Sequence, residues 1–192
     1  MKLFDGCLLY HGSYQPVEHI DLSRCANGKD FGRGFYLTSD PRQARLFIRT
    51  SLFKAKVNGL LENPSQTWGY VSTFVFRGNP DDFKYYEFPT ADAEWLRFVI
   101  WNRLQGKSPL PKSFLRRKIA AEIIAGKVAN DNTNPVLNSY VQGLYGPLGQ
   151  RRTIDIVISL LMPERLKDQF CFLTQNAANS LVFKEIKKYE IR

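Results

Sequence analysis

"KDFGRGFYLT", Lys29 to Thr38, sets Gly32 and Gly34 on either side of an arginine and follows them at once with Phe35, Tyr36 and the strand-forming end Leu37–Thr38. Glycine lacks the Cβ that keeps neighbours at a distance, so glycines beside rigid aromatics mark a place where bare backbone approaches something closely. Aromatic faces cover flat groups. The expectation from this stretch is a tight turn feeding a short strand that presents Tyr36 to a flat ligand. It is neither a dinucleotide-binding fingerprint nor a phosphate-binding loop, because it lacks their glycine spacing and the Lys-Ser/Thr pair.

Downstream, Ser39, Asp40 and Pro41 read as a helix start, with Asp40 as N-cap and Pro41 at the first helical position. Ala44, Phe47, Ile48, Ser51 and Leu52 fall on one face of that helix. Upstream, "CLLYHG" (Cys7 to Gly12) reads as a short buried strand. "VSTFVFR" (Val71 to Arg77) alternates like a strand, and "FKYYEF" (Phe83 to Phe88) reads as its hairpin partner across Gly78–Asn79–Pro80–Asp81.

"DAEWLRFVIWNRL" (Asp92 to Leu104) is the clearest helix, with Trp95, Phe98, Val99 and Asn102 on one face and Gly106 just beyond its end. "EIIAGKV" (Glu122 to Val128) reads as a buried strand running into the polar "ANDNTN", and "VLNSYVQGLY" as a helix. In "TIDIVISLLM" the β-branched content favours a strand, whereas Ile154, Val157, Ile158 and Leu161 recur at helical spacing; the spacing predicts a helix. "QFCFLT" (Gln169 to Thr174) reads as a strand, "NAANSLVF" as a short helix and "KEIKKYEI" as a last strand. Strands and helices mix without regular βαβ alternation, which predicts an α+β fold, and with no repeat or low-complexity linker the whole of 1–192 reads as a single domain.

The composition, 44% apolar and 23% charged, is that of an ordinary globular chain, but a formal net charge of +9 would attract acidic partners. Basic residues gather in "KSFLRRK" (Lys112 to Lys118), at Arg151–Arg152 and in "KEIKKYEIR" (Lys184 to Arg192). Cys7, Cys25 and Cys171 are odd in number and widely spaced, which argues against a disulfide framework and against a thiolate metal site. No metal is expected. The apolar run near the N-terminus is broken by Asp5–Gly6, unlike a secretory signal, and no stretch reaches the ~20 apolar residues needed to span a bilayer. A cytoplasmic protein with no membrane partner is the expectation, with export by a specialised machine left open.

The motifs "YHGS", "DFGRGFYLT", "EWLRFVIWNR", "VANDNT" and "QFCFLT" occur in that order. In this the chain resembles the diphtheria-toxin and poly(ADP-ribose) polymerase branch of the ADP-ribosyltransferase superfamily, and more closely a bacterial family of that branch that carries all five motifs. The resemblance runs from about Leu9 to Ile186. It implies a split pair of mainly antiparallel sheets around an NAD cleft, with peripheral helices. It implies NAD⁺ as co-substrate, held through His11, Gly12, Ser13, Gly34, Tyr36 and Phe47, and a catalytic set of Gln169, His11 and Tyr36.

By the same resemblance, the backbone of Gly12 would grip the nicotinamide carboxamide, a side chain there being expected to block the ring. Tyr36 and Phe47 would cover the two faces of the ring, and His11, helped by Ser13, would bond a hydroxyl of the adenosine ribose. Apart from the resemblance, Arg33 is open between meeting the pyrophosphate and an ordinary exposed place in the turn. Gln169 stands where the polymerase form has a glutamate. It keeps a hydrogen bond to the ribose and gives up the charge, so polymer synthesis is not expected. Lys167 supplies no second carboxylate, and Ala44 replaces a serine that would bond the carboxamide.

Three activities are compatible with these residues. One is mono-ADP-ribosylation of a protein or nucleic-acid acceptor, in a bacterial toxin of a toxin–antitoxin or defence system with an antitoxin protein as partner. The others are NAD⁺ hydrolysis with water as acceptor, and binding of NAD or ADP-ribose without turnover. Taken singly each residue also has an ordinary structural use: His11 as a packed histidine, Tyr36 and Phe47 as core aromatics, Gln169 as a surface amide. Arg103 is open between packing and substrate contact, as are Asn130 and Asp131 between a turn and the site.

Overall fold

A computed structural model describes residues 2–104, 119–129, 133–161 and 167–191. The architecture is α+β, with two sheets that are mostly antiparallel. One sheet has the order β1-β3-β7, built from Leu8–Ser13, Trp68–Phe76 and Leu181–Glu190. The other has the order β2-β6-β5-β4, built from Phe35–Leu37, Asp168–Phe172, Ile123–Lys127 and Tyr85–Glu87. In the second sheet only β4 and β5 run parallel.

Side-chain alternation stacks these layers. Along β5 and β6, Ile124 and Cys171 face helices α2 (Ala93–Arg103), α3 (Thr133–Val141) and α4 (Arg151–Leu161), in a core with Trp95, Phe98, Tyr140 and Val157. Their neighbours Ile123, Ala125, Phe170 and Phe172 face the other sheet and pack with Leu9, Phe74 and Phe76. Helix α1 (Pro41–Val57) covers the far side of the first sheet through Ala44, Ile48 and Val71.

The sequence explains most of these elements directly. The Asp40 side chain accepts from Arg42 N–H and Pro41 opens α1, while the Asp92 side chain accepts from Glu94 and Trp95 N–H and opens α2. α4 is a helix, with Thr153, Ile154, Val157 and Leu161 buried on one face. Three expectations need correction. Phe83–Phe88 does not pair with the strand before it: β3 is already flanked by β1 and β7, so the short β4 crosses to lie beside β5. Within "NAANSLVF" the helix is only α5 (Gln175–Ala178), because Leu181 onward pairs with Phe76 and begins the ten-residue β7. On α1, Phe47 leaves the buried stripe and is 43% exposed. The basic run Lys112 to Lys118, Gly106, Asn130 and Asp131 lie outside the described residues. Among the described residues no helix is long and apolar enough to cross a membrane.

Candidate functional site

Besides the packed core between them, the two sheets are joined through backbone at one isolated bridge among the described residues. Tyr10 N–H donates to Thr38 O at 2.8 Å and Thr38 N–H donates back to Tyr10 O at 3.0 Å, and past this bridge β1 and β2 part. Successive residues of an antiparallel strand turn their backbone groups to opposite sides. Tyr10 points its groups away from β3, so Gly12, two residues on, directs its N–H and C=O the same way, onto the open edge of β1. A cavity of about 530 Å³ lies along that edge, within the size range of small-molecule sites.

His11, Gly12 and Ser13 from β1 line this cavity, with Gly34 and Tyr36 from the Lys29–Thr38 stretch, Phe47 from α1 and Gln169 from β6. These residues, all singled out in the sequence, are therefore brought to one cavity from four separate elements. Arg33 is not: its guanidinium donates to the Ser23 carbonyl, and Arg24 and Lys54 are cations that do line the cavity.

The imidazole of His11 is fixed by its Nδ1–H, which donates to the Tyr36 carbonyl at 2.7 Å, so Nε2 is the ring atom left to accept from a ligand. Burial pushes the His11 pKa below its ordinary 6.5, and the Tyr36 carbonyl opposes that shift by favouring the charged form. A neutral ring at pH 7 follows. The Tyr36 hydroxyl donates to Gly32 O at 2.8 Å and accepts from Phe31 N–H at 3.0 Å, which ties the ring to its own preceding loop. Burial raises the Tyr36 phenol well above the usual range, so it stays protonated. Ser13 Oγ accepts from Gln15 N–H at 3.3 Å.

The glycines answer to packing more than to a ligand. A Cβ on Gly12 would lie 1.9 Å from Ala44 O in α1, and one on Gly34 would lie 2.6 Å from both Cys171 Sγ and Phe172 O in β6. Whatever a side chain at Gly12 would do to a bound ring, it would strike the helix. Gly32 is the glycine with a turn to make, at φ +97°.

A residue the sequence reading did not single out sits at the floor. Asp30 is 3% exposed and lines the cavity. Its Oδ1 accepts from Arg103 Nε at 2.7 Å, and its Oδ2 accepts from Gln169 Nε2 at 3.0 Å and from Ala129 N–H at 3.3 Å. Asn102 adds a bond to the Asp30 carbonyl at 3.2 Å. Arg103 lines the cavity while bound to Asp30. The only hint in sequence was an aspartate opening a glycine-rich turn, which is also what any turn contains.

The cavity thus offers an open backbone donor–acceptor pair, a neutral imidazole, two aromatic rings and a glutamine held by the buried Asp30 carboxylate and the Lys127 carbonyl. These features define an α+β protein with a preformed, largely apolar-walled cleft between two sheets. The chain belongs to the family described as "Protein of unknown function (DUF3990)", whose model matches residues 7–183. No curated protein and no solved structure matches it.

Proposed function

We propose that the chain is a mono-ADP-ribosyltransferase that takes NAD⁺ as co-substrate, on an ADP-ribosyltransferase-like fold. The observation that carries this reading is the convergence of His11, Tyr36 and Gln169, from three strands, on a cavity whose edge is the open backbone of Gly12. A nicotinamide carboxamide has one acceptor and a pair of donors, the complement of Gly12 N–H and C=O. Each such bond is worth about 0.5–1.5 kcal/mol net. Tyr36 and Phe47 cover the cationic ring, at about 0.5–2 kcal/mol. His11 Nε2 accepts from a ribose hydroxyl, Ser13 assists, and the positive charges of Arg24 and Lys54 favour the pyrophosphate.

Glycosidic cleavage sends the bonding electron pair to the nicotinamide, which leaves neutral, while positive charge builds on the ribose. An oxygen acceptor beside that ribose stabilises the charge. Gln169 supplies the acceptor. A lone pair of the incoming nucleophile then bonds to the anomeric carbon, and its proton passes to solvent, since an amide cannot take it. The acceptor must therefore be nucleophilic in its own right. A protein or nucleic-acid target fits, and the net charge of +9 favours an acidic one. A toxin role with a neutralising partner belongs to the same proposal.

The test is NAD⁺ labelled on its adenine side, incubated with the protein and bacterial lysate. Label on macromolecules with wild type and not with Gln169→Ala is the expected result. Nicotinamide release without labelled product would replace transfer by hydrolysis, and binding with neither product would leave a binding module.

A further inference from the structure

Gln169 is 7% exposed, and both hydrogens of its amide are committed. Nε2 donates to Asp30 Oδ2 at 3.0 Å and to the Lys127 carbonyl at 3.1 Å. The Lys127 carbonyl also accepts from Trp95 Nε1–H at 3.1 Å, so its two lone pairs are used and its position is fixed by α2. Asp30 is fixed in turn by Arg103, by Ala129 N–H and, through its own carbonyl, by Asn102. An amide with two such acceptors at its nitrogen has one orientation. Its oxygen must point the other way, and among the described residues Oε1 takes no hydrogen bond.

We infer that Asp30 is a positioning residue which, with the Lys127 carbonyl, makes the identity of residue 169 a glutamine rather than a glutamate, and aims its Oε1 into the cleft as a fixed acceptor for a ligand hydroxyl. This deepens the proposed function and rests on it for the identity of the ligand. A glutamate at 169 would bring an oxygen with no proton to the place of Nε2, 3.0 Å from one carboxylate oxygen and 3.1 Å from a carbonyl. Like charges at that separation in a buried site repel strongly. The side chain would then swing out of position or hold a proton. Glutamine is therefore not a weakened glutamate at this site. It is the residue that can both donate to Asp30 and accept from substrate. The same logic explains why Arg103 stays in the floor: the buried Asp30 needs a countercharge, and the half-buried Arg103 supplies it at 2.7 Å.

The inference predicts an interaction between positions 30 and 169 that a merely structural aspartate would not show. In the Asp30→Asn protein the new side-chain amide can accept from Arg103 through its oxygen and donate through its nitrogen to a glutamate at 169, while Ala129 N–H loses its acceptor and the Lys127 carbonyl still faces the glutamate, so the double variant is relieved in part. Four proteins form the test: wild type, Asp30→Asn, Gln169→Glu and the double variant. Nicotinamide release should fall roughly 10-fold or more in each single variant, chiefly in kcat, with NAD⁺ affinity changed much less. The double variant should exceed the product of the two single effects by at least about 5-fold. Gln169→Glu turning over as fast as wild type, or strictly multiplicative losses, would overturn the inference.

The melting temperatures of the same four proteins give a readout independent of activity. The double variant should lose less than the two single losses combined, and additive losses would equally overturn the positioning role. Where wild type neither binds NAD⁺ nor releases nicotinamide, the proposed function fails while this thermal cycle still decides the Asp30–Gln169 pairing. Should Asp30→Asn not fold, the side-chain amide resonances of Gln169 in wild type decide it. Slow exchange with solvent is expected of two bonded hydrogens, and rapid exchange would contradict them.

Discussion

Replacing Gly12 by alanine adds a single methyl group, and the structure fixes what that methyl meets. Its Cβ would sit 1.9 Å from Ala44 O and 2.8 Å from Ala44 C, against an ordinary contact distance of 3.4 Å or more. The obstacle is helical backbone, so no rotamer change relieves it, and α1 must move off β1 by about 1.5 Å. That motion pulls Ala44 and Ile48 from Val71, the buried contact set between α1 and the sheet. Overpacking of this kind costs about 1–3 kcal/mol, and a rigid obstacle puts it near the upper end. For a chain of this length each kcal/mol lowers Tm by about 2–4 °C, which gives a loss of roughly 6–12 °C. Circular dichroism melts of wild type and Gly12→Ala read it directly. Because α1 also carries Phe47 along the cleft, NAD⁺ affinity should fall in the same variant. A Tm within about 2 °C of wild type, with unchanged affinity, would show that α1 does not seat on Gly12 and would refute the packing argument.

Other outcomes follow from single contacts. The unfolded chain protonates His11 near its ordinary value of 6.5 while burial lowers the folded value, so stability is full above that pH and declines as pH falls toward the folded pKa. Tm measured from pH 8 to pH 5 should therefore drop less in His11→Asn than in wild type, and equal slopes would contradict a neutral buried ring. Phe47→Ala should cost under about 1 kcal/mol of stability, since the ring is 43% exposed, yet weaken NAD⁺ binding about 2- to 30-fold by titration calorimetry. Arg33→Ala should leave that affinity unchanged, because its guanidinium is spent on Ser23 O, and a clear loss would return it to the pyrophosphate. The Asp168 carboxylate accepts from Thr38 Oγ1, Ser39 N–H and Ser39 Oγ, so Asp168→Asn should destabilise by about 1–3 kcal/mol in urea unfolding.

Reading the chain alone recovers what local chemistry encodes. Asp40–Pro41 is a side-chain signal that acts within four residues, and it opens α1 where expected. The spacing of Ile154, Val157 and Leu161 outweighs their β-branching because burial of one face, not intrinsic preference, decides the element. What fails is partner choice. Phe83–Phe88 follows a good turn, but a hairpin competes with every other strand for the same edge, and the ten-residue β7 from the far end of the chain takes it. The helical reading of "NAANSLVF" fails for the same reason, since Leu181 and Val182 are claimed by Phe76 and Val75. The residues that line the cleft were singled out through a resemblance, and their mutual contacts were not legible. Nothing in the sequence says that Asp30 and Gln169 touch across 139 positions.

The contacts of Asp30 through Gly34 and of Tyr36 give the Lys29–Thr38 stretch a different meaning. Glycines there looked like provision for a ligand to come close. In the folded chain Gly34 lets β6 come close, and Gly32 makes the turn at positive φ. Asp30 runs to α2, to the backbone after β5 and to β6; Arg33 to the 3₁₀ turn at Leu22–Arg24; Phe31 into the core beside Phe88 and Phe98. Tyr36 then closes the loop on itself through Phe31 N–H and Gly32 O. A loop with that many fixed ends is not a lid that folds over a ligand. It is the part of the scaffold that holds three things in register: the imidazole bonded to the Tyr36 carbonyl, the aromatic face beside it, and the glutamine bonded to Asp30. Rigid placement of those groups is what a site needs if binding is to favour bond cleavage rather than simple retention, because orientation settled during folding is not charged against each turnover.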